Sequence, residues 1–230
     1  MGLATSDRIR MGTVLSNMTA LTGICLIYPT TFTSERRIFT KGENDVTEGW
    51  LFYLSGTSGA LSWVWCRGGA SPSNDDYVTS APLLKLNTWQ WVVAAALGSG
   101  TPTARIYVGD YAAGGRPLQE CTYSTATDGS GSYDNDSPEL ISIGCDGDAQ
   151  TRSFQGSIAL VALFKNAQLD FDEIRTFTKN PRAFLGDQRL GGLWRPGWRH
   201  NGGTSVVDES GNGLHSTTFV GGAPSGVRPA

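Results

Sequence analysis

Apolar residues in this chain of 230 come in short runs, many of them alternating with polar ones. Turn-forming clusters interrupt the runs, among them Lys41-Gly42-Glu43-Asn44-Asp45, Gly68-Gly69-Ala70-Ser71-Pro72 and Gly98-Ser99-Gly100. A period of two lines one face of an extended strand, whereas an amphipathic helix needs a period near 3.6. The rhythm predicts strands near 8–14, 22–28, 37–41, 50–54, 61–66, 77–80, 89–96, 104–108, 139–143 and 154–164. Many short strands joined by turns describe an antiparallel sandwich. Composition agrees: 30 Gly and only 17% charged residues suit tight turns better than a helical bundle, which would be richer in Glu, Lys and Ala.

One segment reads differently. Leu169-Asp-Phe-Asp-Glu-Ile174, continuing to Phe177, predicts a helix with Asp170 at its cap and Glu173 three residues on, as in a capping box. Asn180-Pro181 ends it. The fold expected is therefore all-β, a two-sheet antiparallel sandwich with one short helix near the C-terminal third. The polar stretch Asp128–Asp136 reads as an exposed loop. The expected organisation is a sandwich over 1–181, a linker over 182–192, and a Trp- and Gly-rich tail over 193–230. That tail either completes the sandwich or docks on a neighbour.

Several function classes are disfavoured. The net charge is −3, and the longest Lys/Arg cluster is the pair Arg36-Arg37, so the basic face of a nucleic-acid binder is missing. The apolar run around Trp89–Leu97 is far short of the roughly 20 residues of a membrane span. Met1–Gly12 has no apolar h-region, so no secretory signal peptide is expected. Cys25, Cys66, Cys121 and Cys145 include no C-x-x-C pair and read as small buried hydrophobes, with a Cys121–Cys145 disulfide as the alternative.

Four segments resemble the laminin-G-like, or concanavalin A-like, lectin superfamily in its bacterial and phage branch. Ile24-Cys-Leu-Ile-Tyr-Pro-Thr-Thr31 with Arg37-Ile-Phe-Thr-Lys-Gly42 is similar to its early strand pair. Asn87-Thr-Trp-Gln-Trp-Val-Val93 with Ala104-Arg-Ile-Tyr-Val-Gly-Asp110 is similar to its central hairpin. Ile141–Cys145, Phe154–Ala159 and Leu169–Ile174 resemble its last strands and closing turn. Asp208-Glu-Ser-Gly-Asn-Gly-Leu-His215 resembles its Asp-x-Ser-Gly-Asn-Gly-x-His loop, although that loop usually stands at the start of such domains and here stands near the end. Glu173–Arg182 is similar to the closing element of these domains in phage virion proteins.

The resemblance implies a concanavalin A-like jelly-roll fold and a non-enzymatic role: a phage virion component such as a capsid decoration, head-fibre or tail-associated protein. Its partners would be other virion subunits or a second copy of itself, its location the virion, and a surface glycan would be a further partner. A carbohydrate-binding module is the alternative. A catalytic site is not expected. No Glu-x-Asp-x-x-Glu strand motif is present, and the neighbours Asp208, Ser210 and His215 lack an oxyanion element. Many relatives hold Ca²⁺ at the sandwich rim, and calcium favours acidic, Gly-bent loops. The calcium candidates are Asp208 and Asn212, then Asp146 and Asp148; the alternative is that these residues shape turns. Trp194 and Trp198, flanking Pro196-Gly197, are candidate partner-binding anchors, with intramolecular packing as the alternative. Alternation puts Trp63 with Trp65 on one face and Trp89 with Trp91 on another; one face belongs to the core, and leftover rings are a platform for sugars.

Overall fold

The structure, a computed structural model, describes residues 2–3, 8–42, 49–80, 83–98, 102–133, 136, 138–146, 152–195, 206–216 and 218–220. Two antiparallel sheets face each other. The first runs β1 (Gly2–Leu3), β15 (Gly156–Lys165), β3 (Ala20–Pro29), β9 (Gln90–Leu97), β10 (Ala104–Asp110), β11 (Gln119–Glu120), and β16 (Leu190–Trp194) also pairs with β15. The second runs β12 (Tyr123–Thr127), β8 (Asp75–Thr79), β6 (Ala60–Trp65), β5 (Trp50–Ser55), β4 (Arg36–Lys41), β14 (Ile141–Ile143), β2 (Arg8–Arg10), β17 (Thr218–Val220). A separate ribbon joins β7 (Arg67–Ser73) to β13 (Ser130–Tyr133). The two-sheet sandwich expected from the strand rhythm is present, in the jelly-roll form that the resemblance implies.

Alternation decides what fills the space between the sheets. On β5 and β6, Trp50, Phe52 and Leu54 stand opposite Trp65, Trp63 and Leu61, and all six are buried in the inter-sheet core. Phe39 of β4 reaches into the same cluster, with its ring centroid 5.3 Å from Phe52 and 5.6 Å from Trp50. Its ring occupies the space above Gly23, where a Cβ would lie 2.2 Å from Phe39 Cζ. Glycine at 23 is therefore a packing requirement.

The first sheet is buried on both faces. Its outward residues, Ile24 and Leu26 of β3, Trp91, Val93 and Ala95 of β9, and Leu160, Ala162 and Phe164 of β15, form a second cluster with the helix α1 (Phe171–Lys179). Strands covered on both sides read as continuous apolar runs rather than alternating ones, which is how β3, β9 and β15 appear in sequence. The helix is set by its caps. Glu173 N donates to Asp170 Oδ1 at 2.8 Å and Asp170 N to Glu173 Oε2 at 3.1 Å, closing the box read from sequence. Thr22 of β3 fixes the approach, donating to Ala167 O at 3.0 Å and accepting from Leu169 N at 2.9 Å. Ile174 and Phe177 are then buried on the sheet, with Phe177 5.5 Å from Phe164.

Three readings need correction. The span 182–192 is no linker: Pro181–Phe184 is a turn of 3-10 helix, and Leu190–Trp194 is a strand on β15. Gly68–Pro72 lies within β7, and Ser130–Tyr133, inside the expected loop, is its partner strand. The cysteines are all buried and none is in a disulfide, so a Cys121–Cys145 bridge is not formed; burial pushes the Cys121 thiol up to about 12.

The Gly23–Phe39 contact gives a direct test. Gly23→Ala should lower stability by about 1–3 kcal/mol through overpacking, and Phe39→Leu in the same chain should restore part of the loss, as measured by chemical denaturation of the single and double variants.

Candidate functional site

The Asp208–His215 loop was the leading calcium candidate, and the structure gives it other work. Asp208 pairs across to Trp194 in an isolated antiparallel bridge. Its Oδ1 accepts from Leu193 N and Ser210 N, each at 2.9 Å, and its Oδ2 from Ser210 Oγ at 2.8 Å and Leu214 N at 3.0 Å. Four donors occupy the carboxylate's acceptor sites. Asn212 turns its Nδ2 to Leu190 O (2.6 Å) and Gly191 O (3.1 Å). His215 Nδ1 accepts from Asp208 N at 3.0 Å, and Ser210 Oγ bonds Asp208 rather than His215. The motif is a clasp that binds the tail to β16, and the Asp208 carboxylate, with both oxygens engaged by the protein, does not fit the role of a calcium ligand.

The other acidic candidate is also engaged. Asp146 is fully buried and takes Arg37 Nε at 2.5 Å. Asp148 lies outside the described residues, as does Trp198. Among the described residues no group of three or more His, Cys, Asp or Glu side chains is placed to hold a metal.

Trp194 is corrected as an anchor. It is fully buried, its Nε1 donates to Leu214 O at 2.8 Å, and its ring folds back over Gly192, where a Cβ would lie 2.1 Å from Trp194 Cη2. No ring surface is left for a partner, and the intramolecular alternative is the one observed.

The tryptophans sort as alternation requires. Trp50, Trp63 and Trp65 fill the inter-sheet core, while Trp89 and Trp91 lie with the outer cluster of the first sheet. There they form part of an aromatic row at one end of the sheet. Tyr28 packs on Trp89 with centroids 5.3 Å apart, Trp91 on Tyr111 at 6.2 Å, and Trp91 on Phe177 at 6.5 Å. Tyr111 stands at the crest, 38% exposed. It walls two adjoining depressions. One, of about 190 Å³, is also lined by Leu26, Trp91, Lys179, Pro181 and Arg195. The other, of about 570 Å³, is lined by Tyr28, Asn87, Thr88 and Trp89.

Tyr111 was not legible as a site residue in sequence, because its place depends on a loop brace. Tyr111 N donates to Trp89 O at 2.9 Å, and Asn87 N, at the turn with φ 54°, donates to Pro29 O at 2.8 Å. Asp110, the preceding residue, receives Lys85 Nζ at 2.6 Å and Arg116 N at 2.9 Å, and Arg116 Nη1 reaches Leu83 O at 2.7 Å. Burial pushes the Asp110 carboxyl up, but the Lys85 and Arg116 hydrogen bonds and charges outweigh it and hold the group below its ordinary range.

At the opposite end, Asp75 and Asp128 both contact the Thr103 hydroxyl, at 3.1 and 2.9 Å. Arg67 Nη2 reaches both oxygens of Asp75 at 2.9 Å, Gly129 N donates to its Oδ1, and Thr103 N and the Tyr77 hydroxyl donate to Asp128. This carboxylate pair holds β7, β8 and two loops together.

No protein-family model matches the sequence, and no curated protein matches it. Solved structures do share the fold. A Bacteroides ovatus protein described as carbohydrate-binding superposes with a TM-score of 0.63 over 96% of this chain and 57% of its own, at 16% identity. The enzymatically active domain of tailspike protein 2 from bacteriophage CBA120 gives a TM-score of 0.54 over 77% of this chain and 27% of its own, at 11% identity. This chain thus spans little more than half of the first and about a quarter of the second. Both likenesses are of fold, and they place the chain among jelly-roll sandwiches.

Two outcomes follow. Asp208→Ala should cost about 2–4 kcal/mol, because buried N–H groups lose their acceptor, and the fall in Tm should be the same in calcium as in chelator. Since the folded pKa of Asp110 is depressed below the unfolded value of about 3.9, its stabilisation is full above that pH and is lost as the pH falls through the folded value. The urea midpoint of the parent should therefore drop more between pH 5 and pH 3 than that of Asp110→Asn.

Proposed function

We propose that the protein is a non-enzymatic, lectin-like module that binds glycans along the aromatic row Tyr28, Trp89, Tyr111 and Trp91. The observation that carries this is the exposed Tyr111 crest between two depressions, each walled by a tryptophan. Sugar rings present apolar C–H faces flanked by hydroxyls. An aromatic wall with polar neighbours, here Asn87 and Thr88, complements both. The fold likeness to a protein described as carbohydrate-binding, over nearly the whole of this chain, supports the same reading.

A second reading concerns where such a module works. The fold likeness to a phage tailspike domain, together with the phage-like segment Glu173–Arg182, favours a virion component that contacts other subunits or further copies of itself. The solution mass of the full chain by light scattering tests self-association, a monomer counting against it.

For the glycan reading, the measurement is binding to a panel of polysaccharides. Tyr111→Ala should weaken retention on a bound glycan by about 10- to 100-fold, the scale of one lost stacking anchor. Its urea midpoint should fall only modestly and its far-ultraviolet circular dichroism should match the parent's, because the ring is 38% exposed and lies outside the inter-sheet core. Unchanged retention would exclude this groove as the glycan site.

A further inference from the structure

The two depressions beside Tyr111 differ in charge. The one walled by Trp89 is lined by neutral residues. The one walled by Trp91 holds two cations, Lys179 and Arg195, and no carboxylate lines it. From this difference we infer that the ligand is an acidic oligosaccharide of at least two rings, with a ring-borne carboxylate or sulfate seated beside Lys179 and Arg195 and a neighbouring ring against Tyr28 and Trp89. The inference rests on the glycan reading above and narrows its chemistry.

The surroundings of Lys179 make it the exposed cation of the pair. On α1, Arg175 pairs with Asp172 at 3.3 Å, and Glu173 pairs with Arg189 at 2.8 Å. The acids of the helix are thus engaged by arginines, and Lys179, at its last residue, is exposed. Arg195 is 8% exposed and its Nε lies 3.5 Å from Glu209 Oε2, so its position is fixed and part of its charge is met. The helix C-terminus opposes an anion with about half an elementary charge. The full charge of the Lys179 ammonium alone exceeds that, so the depression favours an anion. The aromatic wall supplies what a bare cationic patch lacks: a face for the ring that carries the acid. Tyr111 lines both depressions, so a ligand that fills one meets the other without a break.

Lys179 is exposed at the last residue of α1, away from the buried Ile174 and Phe177, so replacing it leaves the core intact. The experiment is affinity electrophoresis and calorimetry of the full chain against polygalacturonate and chondroitin sulfate, with neutral galactan and dextran alongside. Binding to an acidic polymer should exceed binding to the neutral ones and weaken as salt rises. Lys179→Glu should cut that affinity by roughly tenfold or more, while Lys179→Arg should keep it within about twofold. The polymer bound more tightly identifies the acid as carboxylate or sulfate. Equal affinity for acidic and neutral polymers that Tyr111→Ala nevertheless abolishes, or acidic binding untouched by Lys179→Glu, would overturn the charge inference and leave the glycan reading standing. Binding to none of the four polymers would overturn both.

Discussion

A sheet that is apolar on both faces has to be covered twice, and most of this structure answers that requirement. The strands β3, β9 and β15 send Leu21, Cys25, Ile27, Val92, Ala94, Val161 and Leu163 to one side and Ile24, Leu26, Val93, Leu160 and Phe164 to the other. The second sheet covers the first set with Trp50, Phe52, Phe39 and Trp63. The second set needs its own lid. The chain provides it immediately after β15, where the Asp170–Glu173 box starts a helix that lays Ile174 and Phe177 on the sheet. Each buried aromatic there removes on the order of 150–250 Å² from water, which offsets part of the conformational entropy lost in ordering the helix.

The lid also makes the groove. Because α1 stops at Lys179 and the chain turns through Pro181, the far end of the sheet is left open beside Trp91. Tyr111 arrives there from the end of β10, held by the Asp110 brace. Arg195 arrives from the opposite edge, directly after β16. That placement depends on the clasp, since Asp208 and Asn212 hold Leu190–Trp194 against the returning tail. Core coverage, the clasp and the candidate site are therefore parts of one arrangement, in which the polar residues that look most like ligands serve as fasteners.

The fold was largely legible because strand and helix leave periodic traces. The pairs Trp63/Trp65 and Trp89/Trp91 show in sequence as shared faces, and Asp170 with Glu173 shows as a cap, since each depends only on spacing along the chain. The weaker strands were lost where composition argued against them. Gly68–Pro72 and Ser130–Tyr133 carry turn residues yet pair with each other, and Leu190-Gly-Gly-Leu-Trp194 has too few side chains to display a period. The candidate site was legible only in part. Trp89 and Trp91 were visible as rings, but Tyr111 had no local signal, and Lys179 lay unmarked inside the segment Glu173–Arg182.

Spacing along the chain was enough to set the periods: an all-β sandwich of short strands and one capped helix. The tertiary structure decided which side chains still have bonding capacity to offer a ligand. Asp208 and Asp146 have the composition of metal ligands, but backbone N–H groups occupy the first and Arg37, 109 residues away in the chain, holds the second, while Asn212 is pinned through its Nδ2 to β16. Tyr111 and Lys179 carry no motif, yet they meet at one depression because a loop brace and a helix end converge there. Local spacing fixes backbone geometry, whereas the satisfaction of a polar group depends on partners that only the packed chain can supply.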